Sequence, residues 1–123
     1  AVCEDQGRAV GPYRPLEGGF LTGKYSRDGD VPAGSRGDRR SWSPGDFSER
    51  QWAVLSAIRS VAEDVGATVP QVALRWLIER DTVPITTARR VEHLEENAAA
   101  ADLSLSAAQV ERIDESYADA GEK

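Results

Sequence analysis

With 123 residues, 40% hydrophobic and 29% charged, the chain suits one globular domain with a modest core. Its formal net charge of −6 and pI near 4.8 speak against a nucleic-acid-binding face, which is normally basic. Cys3 is the only cysteine and His93 the only histidine, which excludes an internal disulfide, a cysteine metal cluster and a histidine-based zinc site.

The N-terminus lacks the pattern of a signal peptide, and no apolar run approaches the ~20 residues of a membrane span, so the default compartment is the cytoplasm. Ala1 to Gly7 reads as the last turn of a helix with a glycine C-cap, an opening that suggests truncation. Arg8 to Tyr13 is a strand candidate, broken by Pro12 and ended by Pro15. Glu17 to Phe47 shows neither helical nor strand period and holds most of the glycine, with 26–43 strongly polar. A loop of that length is functional or disordered.

Ser48-Glu49-Arg50-Gln51 is a capping box, followed by Trp52, Leu55, Ile58, Val61, Ala62 and Val65 at helical spacing and closed by Gly66. Thr68 to Gln71 opens a second helix with Pro70 in its first turn and Val72, Ala73, Trp76 and Leu77 on one face. Val83 to Thr87 is the second strand candidate, and helix follows from about Val91 to Ala101. Ser104-Leu105-Ser106 caps a last helix with Val110, Ile113 and Tyr117 inward, fraying from Asp119. Strands alternating with helices imply parallel pairing and an α/β architecture. Two strands cannot complete such a sheet, so apolar surface is expected to lie open.

Two blocks carry chemistry. In Val83 to Asn97 an apolar run stops in small residues, Arg89 and Arg90 follow, and an amphipathic helix begins. Free N–H groups, the positive end of the helix dipole and an arginine fork together suit a phosphate. Solvated arginines pairing with Glu92, Glu95 or Glu96 are the plain alternative. The second block is Tyr13 to Tyr25. Its Gly18 to Lys24 also matches GxxxxGK, but Tyr25 cannot supply the Mg²⁺ hydroxyl of a P-loop, and no helix pattern follows. A helix-turn-helix over 68–86 is a weak rival, because the presumed turn lacks glycine and the chain's charge repels DNA. A non-catalytic helical interaction module is a third reading, supported by the uncovered apolar surface.

Taken together, Tyr13–Tyr25, Gly34-Ser35-Arg36, Gln71–Leu77, Ile85–Asn97 and Ala101–Ser106 resemble, in order and spacing, the C-terminal portion of an aldo-keto reductase. That family is a (β/α)8 TIM barrel that transfers hydride from NADPH to a carbonyl. The resemblance implies that 1–123 is the C-terminal portion of such a domain, an incomplete barrel with the last two βα units. It also makes 26–47 a long polar loop on the substrate side. By resemblance, Tyr13 stacks on the nicotinamide; Arg14, Pro15, Leu16, Gly18 and Lys24 line the pyrophosphate; Thr87, Ala88 and Arg89 hold the adenosine phosphate of NADP; and His93, Glu96 and Asn97 meet the adenine side.

Arg14 departs from a usual serine, Thr86-Thr87 from Pro-Gly, and His93 from glutamine or arginine. The first exchanges a neutral contact for a cation, the second removes the close approach that glycine allows, and the third bears on the preference for NADP over NAD. The family's catalytic Asp, Tyr, Lys and His come from the first half of the barrel. No catalytic residue is therefore assigned here, and the isolated segment is expected to be inactive.

Overall fold

The computed structural model describes residues 2–119. A short helix α1 (Val2–Asp5) runs into Gly7 at φ 61°. The remaining helices are α2 (Arg36–Arg39), α3 (Glu49–Val65), α4 (Val69–Ile78), α5 (Val91–Ala99) and α6 (Ala107–Asp119). 3₁₀ segments lie at Glu17–Thr22, which is kinked at Gly18 and Gly19, and at Pro44–Asp46 and Ala100–Asp102. Ala1, and the fraying expected beyond Asp119, fall outside the described residues.

Reciprocal caps start the three main helices. Ser48 Oγ accepts from the Gln51 N–H at 3.2 Å while Gln51 Oε1 accepts from the Ser48 N–H at 2.8 Å. Thr68 with Gln71 and Ser106 with Gln109 repeat the exchange. Each satisfies donors that a helix start otherwise leaves unpaired. Gly66 ends α3 in the left-handed region at φ 67°, where a side chain would be strained.

α3 packs on α4 and α6, and its 3-residue spacing of Trp52, Leu55, Ile58 and Val61 feeds two adjoining cores. One is aliphatic, formed by Ile58, Val61, Ala62, Val72, Ala73 and Ile113. The other is aromatic, formed by Phe20, Tyr25, Trp52 and Leu55 with Trp42, Phe47 and Val31 against it. Two expected inward residues sit differently. Trp76 is only half-buried because its indole N–H reaches Asp114 Oδ1 at 2.8 Å, which keeps it at the edge of the core. Tyr117 is 56% exposed and lies under the Arg50 guanidinium at 5.2 Å.

The two strand candidates form a minimal ribbon rather than strands. Val10 pairs in parallel with Thr82 and Tyr13 with Ile85, as two isolated bridges. The Val83 N–H donates to the Val10 carbonyl and the Ile85 N–H to the Pro12 carbonyl, each at 2.9 Å. The pairing is parallel, but Pro12 has no N–H to donate to the Val83 carbonyl, and Pro84 has none to offer on the ribbon's other edge. Its apolar side is open: Val10, Val83 and Ile85 are 42%, 64% and 58% exposed. After α4 the chain passes through this ribbon, and helix resumes only at Val91, so the second helix of a helix-turn-helix is not formed.

The segment without sequence periodicity is packed, not loose. Phe20 and Tyr25 are 0% and 2% exposed. Phe20 meets Phe47 at 4.3 Å and Trp52 edge-on at 5.0 Å, and Trp42 meets Tyr25 at 5.9 Å between ring centroids. Such pairs add about 0.5–1.5 kcal/mol each beyond the area they bury. Gly37 seals the cluster: a Cβ there would meet Tyr25 Cε1 at 2.8 Å, Val31 Cγ1 at 2.9 Å and Trp42 Cε3 at 3.1 Å. Gly37→Ala is therefore expected to lower unfolding stability by about 1–3 kcal/mol, as overpacking does. Urea unfolding followed by tryptophan fluorescence measures it, and an unchanged midpoint would contradict this packing.

Candidate functional site

The ribbon, the 3₁₀ segment, the loop before α2 and the start of α5 enclose a cleft of about 660 Å³. Tyr13 leaves the ribbon 76% exposed, which rules out a core role for its ring. The next residue, Arg14, stands at φ 56°, a left-handed conformation that costs a non-glycine residue about 1–2 kcal/mol. Gly18 and Gly19 then turn the backbone at φ 68° and 111°. No helix follows Lys24 until Arg36, and Tyr25 is buried, so the strand–loop–helix geometry of a P-loop is absent here.

The electrostatics of the cleft oppose those of the chain as a whole. Arg14, Lys24, Arg36, Arg39, Arg89 and Arg90 border it, with His93, and among the described residues no carboxylate does. Among the described residues the ion pairs lie elsewhere: Arg27–Glu49, Arg75–Glu79, Arg80–Asp114 and Arg112–Asp64. Arg89 and Arg90 thus do not pair with the α5 glutamates. A concave wall of cations in an acidic protein concentrates anions locally.

α5 adds to that field. Its N-cap, Arg90, has extended backbone (φ −128°, ψ 148°) and no side-chain hydrogen bond to the first turn. Unlike α3, α4 and α6, this helix keeps its leading N–H groups free of a side-chain cap, and they add the positive end of the dipole.

Ten of the twelve residues singled out by sequence meet in the cleft: Tyr13, Arg14, Pro15, Leu16, Gly18, Lys24, Thr87, Ala88, Arg89 and His93. Glu96 and Asn97 do not border it. They lie a turn further along α5, half-buried, where the Glu96 carbonyl accepts from Gln71 Nε2 at 3.1 Å. Arg36 and Arg39 also border the cleft and were not singled out by sequence. The Gly34-Ser35-Arg36 motif was the available signal for the first.

The Arg36 segment is held from four directions. The Asp38 carboxylate accepts from the Gly34 N–H at 2.7 Å, Arg39 Nη1 donates to the Gly34 carbonyl at 2.6 Å, and Ser35 Oγ caps the Asp38 N–H at 3.2 Å. Inside, the Gly37 N–H donates to the buried Tyr25 hydroxyl at 3.1 Å. A second hollow of about 470 Å³ lies between α3, α4, α6 and the Pro12–Leu21 segment; its lining is mostly apolar, with Arg14, Glu17, Arg50 and Gln51 also on its walls.

The sequence model of the Aldo/keto reductase family matches residues 1–118. The chain belongs to the aldo/keto reductase family. Chloroplastic pyridoxal reductase of Arabidopsis thaliana is 38% identical over 98 residues, 79% of this chain and 25% of that protein. Aldo-keto reductase yakc [NADP(+)] of Schizosaccharomyces pombe is 34% identical over 119 residues, 93% of this chain and 34% of its own length. NADH-specific methylglyoxal reductase of Escherichia coli is 33% identical over 107 residues, 85% and 32% respectively.

A crystal structure of a thermostable aldo-keto reductase in complex with the inhibitor epalrestat superposes with a TM-score of 0.62 at 27% identity. It covers 94% of this chain and 32% of the solved one. Aldo/keto reductase membership implies the TIM-barrel fold. The chain spans between a quarter and about a third of the length of these relatives.

The uncapped N-terminus of α5 makes a directional prediction. Arg90→Ser supplies a capping hydroxyl and should raise the ligand-free stability by about 1 kcal/mol. The same change removes a cation from the cleft and should weaken any binding of inorganic phosphate there. Urea unfolding and calorimetric titration of the one variant check both signs, and parallel changes would refute the account.

Proposed function

We propose that this chain supplies the NADP-binding part of an aldo-keto reductase whose parent reaction is reduction of an aldehyde or ketone to an alcohol. In this reading it is an incomplete barrel carrying the last two βα units. The observation that carries the reading is the cleft itself, where, among the described residues, six cations and no carboxylate surround an exposed tyrosine, two glycines and an uncapped helix start. An aromatic face beside a fixed cationic wall suits a nicotinamide joined to phosphates.

Tyr13 offers its ring to the nicotinamide, while Arg14, Pro15, Leu16, Gly18 and Lys24 line the pyrophosphate. Thr87, Ala88 and Arg89, before α5, take the adenosine phosphate. His93 lies on the first turns of α5, and the adenine extends along that helix toward Glu96 and Asn97. The 26–47 loop faces the substrate side. When bound, the cofactor supplies the hydride; this chain binds and orients it. The residue that protonates the carbonyl oxygen belongs to the first half of the barrel, so no catalytic role is given to Lys24 or His93.

The relatives divide on the cofactor: the fission-yeast protein is named for NADP(+), the Escherichia coli one as NADH-specific. Arg89 beside the free α5 N–H groups favours the 2′-phosphate and thus NADP. Calorimetric titration with NADPH and NADH tests this. NADPH should bind more tightly, and Arg89→Leu should weaken NADPH by roughly tenfold, the scale of one charge-assisted hydrogen bond, while changing NADH little. Equal affinity for both cofactors, unaffected by Arg89→Leu, would remove the NADP assignment.

A further inference from the structure

We propose that Asp114, on α6 and outside the cleft, is a positioning residue for it: through Trp76 and Arg80 it fixes the turn from which segment 82–90 departs. One carboxylate oxygen does this work. Asp114 Oδ1 accepts from the Trp76 indole N–H at 2.8 Å and also from the Arg80 guanidinium. That guanidinium lies over the Trp76 ring, 4.2 Å from its centroid, so the three side chains close a triangle. An exposed ion pair alone contributes little. Here a half-buried indole donor and a cation–π contact are added to it.

The base of the triangle is firm. Ile113, the neighbour of Asp114, is 1% exposed within the aliphatic core. Arg112 reaches Ser60 Oγ at 3.0 Å and Asp64 Oδ2 at 2.8 Å, which ties α6 to α3. Asp114 serves a different joint, between α6 and the end of α4.

The turn held there is strained. Asp81 stands at φ 55°, a left-handed conformation that a non-glycine residue keeps only where its surroundings enforce it. Before it, Arg80 is fixed by Asp114 and Trp76. After it, Thr82 Oγ1 donates to the Leu77 carbonyl at 2.7 Å. Thr82 is the residue that bridges to Val10, and the Val83 N–H makes the first hydrogen bond of the ribbon. The chain then runs to Arg90, the N-cap of α5, a helix that α4 holds separately through Gln71 and the Glu96 carbonyl. The cleft wall from Ile85 to Arg90 is thus hung between two anchors, and Asp114 secures one of them. Release at Asp81 would let Thr82 swing, and a ribbon held by one hydrogen bond per bridge cannot restore its own register. The consequence for ligand binding rests on the cofactor reading above; the consequence for the ribbon does not.

The test joins amide hydrogen exchange, followed by NMR, to calorimetric titration with NADPH. Asp114→Ala removes the acceptor, Asp114→Asn keeps an oxygen in its place, and Arg80→Gln breaks the triangle from its exposed side. Asp64→Ala breaks the other ion pair of α6 and leaves the end of α4 untouched. Urea midpoints place all four variants on one scale of global stability.

Relative to the amides of α3, those of Val83 and Ile85 should exchange about tenfold faster in Asp114→Ala. Arg80→Gln should act in the same direction, Asp114→Asn should regain most of the protection, and Asp64→Ala should match the parent chain. NADPH affinity should fall in the same order. Ribbon amides unmoved in both Asp114→Ala and Arg80→Gln, or moved equally by Asp64→Ala, overturn the proposal and leave the cofactor reading intact. Faster ribbon exchange with unchanged NADPH affinity overturns it as well. If the parent chain binds no NADPH, the cofactor reading falls, and the exchange comparison alone decides whether Asp114 positions this wall.

Discussion

The cleft depends on one buried aromatic residue. Tyr25 lies at the centre of the aromatic core, and its hydroxyl accepts from the Gly37 N–H, one residue past Arg36. Arg59 of α3 reinforces the same strand of chain by donating to the carbonyls of Gly23 and Tyr25. A long segment with few regular hydrogen bonds is thereby clipped to the most regular helix in the molecule. Without that clip the cationic residues of the loop would be spread through solvent, and their charges screened from a ligand. Burial of rings and placement of charge are two results of a single fold.

The distribution of charge follows from this arrangement. The helices carry most of the acidic residues on their outer faces, where four of the arginines find carboxylate partners. The connecting segments that meet at the ribbon carry arginine and lysine with no such partners. Net charge therefore says little about the site, since the two signs are sorted by structural element. That sorting is why an acidic chain with pI near 4.8 can still present a strongly cationic recess.

The helices were legible because their signals are local. Ser48 with Gln51, Thr68 with Gln71 and Gly66 decide starts and stops within one turn of chain, and α3 begins and ends, and α4 begins, where those residues predict. Most of the residues lining the cleft were legible for a different reason: Tyr13–Lys24 and Thr87–His93 are contiguous motif blocks in the sequence. The long loop was not. Phe20, Tyr25, Trp42 and Phe47 pack through contacts between distant residues, and no period marks them. Arg36 and Arg39 were hidden with them, because their placement needs the packed loop. The strands were over-read: Val, Ile and Thr signalled extended chain, but with no N–H at Pro12 the ribbon holds only two bridges among the described residues.

Those two bridges also bear on the order in which the molecule assembles. Val10–Thr82 and Tyr13–Ile85 are contacts between residues very far apart in sequence, each held by a single backbone hydrogen bond. The contact of α3 with α4 closes a far shorter loop and buries much more apolar surface. Loop-closure entropy and the small return per bridge rank the ribbon last to form and first to open. Because Tyr13 and Arg14 leave from one half of the ribbon and Thr86 to Arg90 from the other, the cleft opens with it. Any ligand that spans both halves therefore acts as the missing cross-link, lending the ribbon a cohesion that its own hydrogen bonds do not provide.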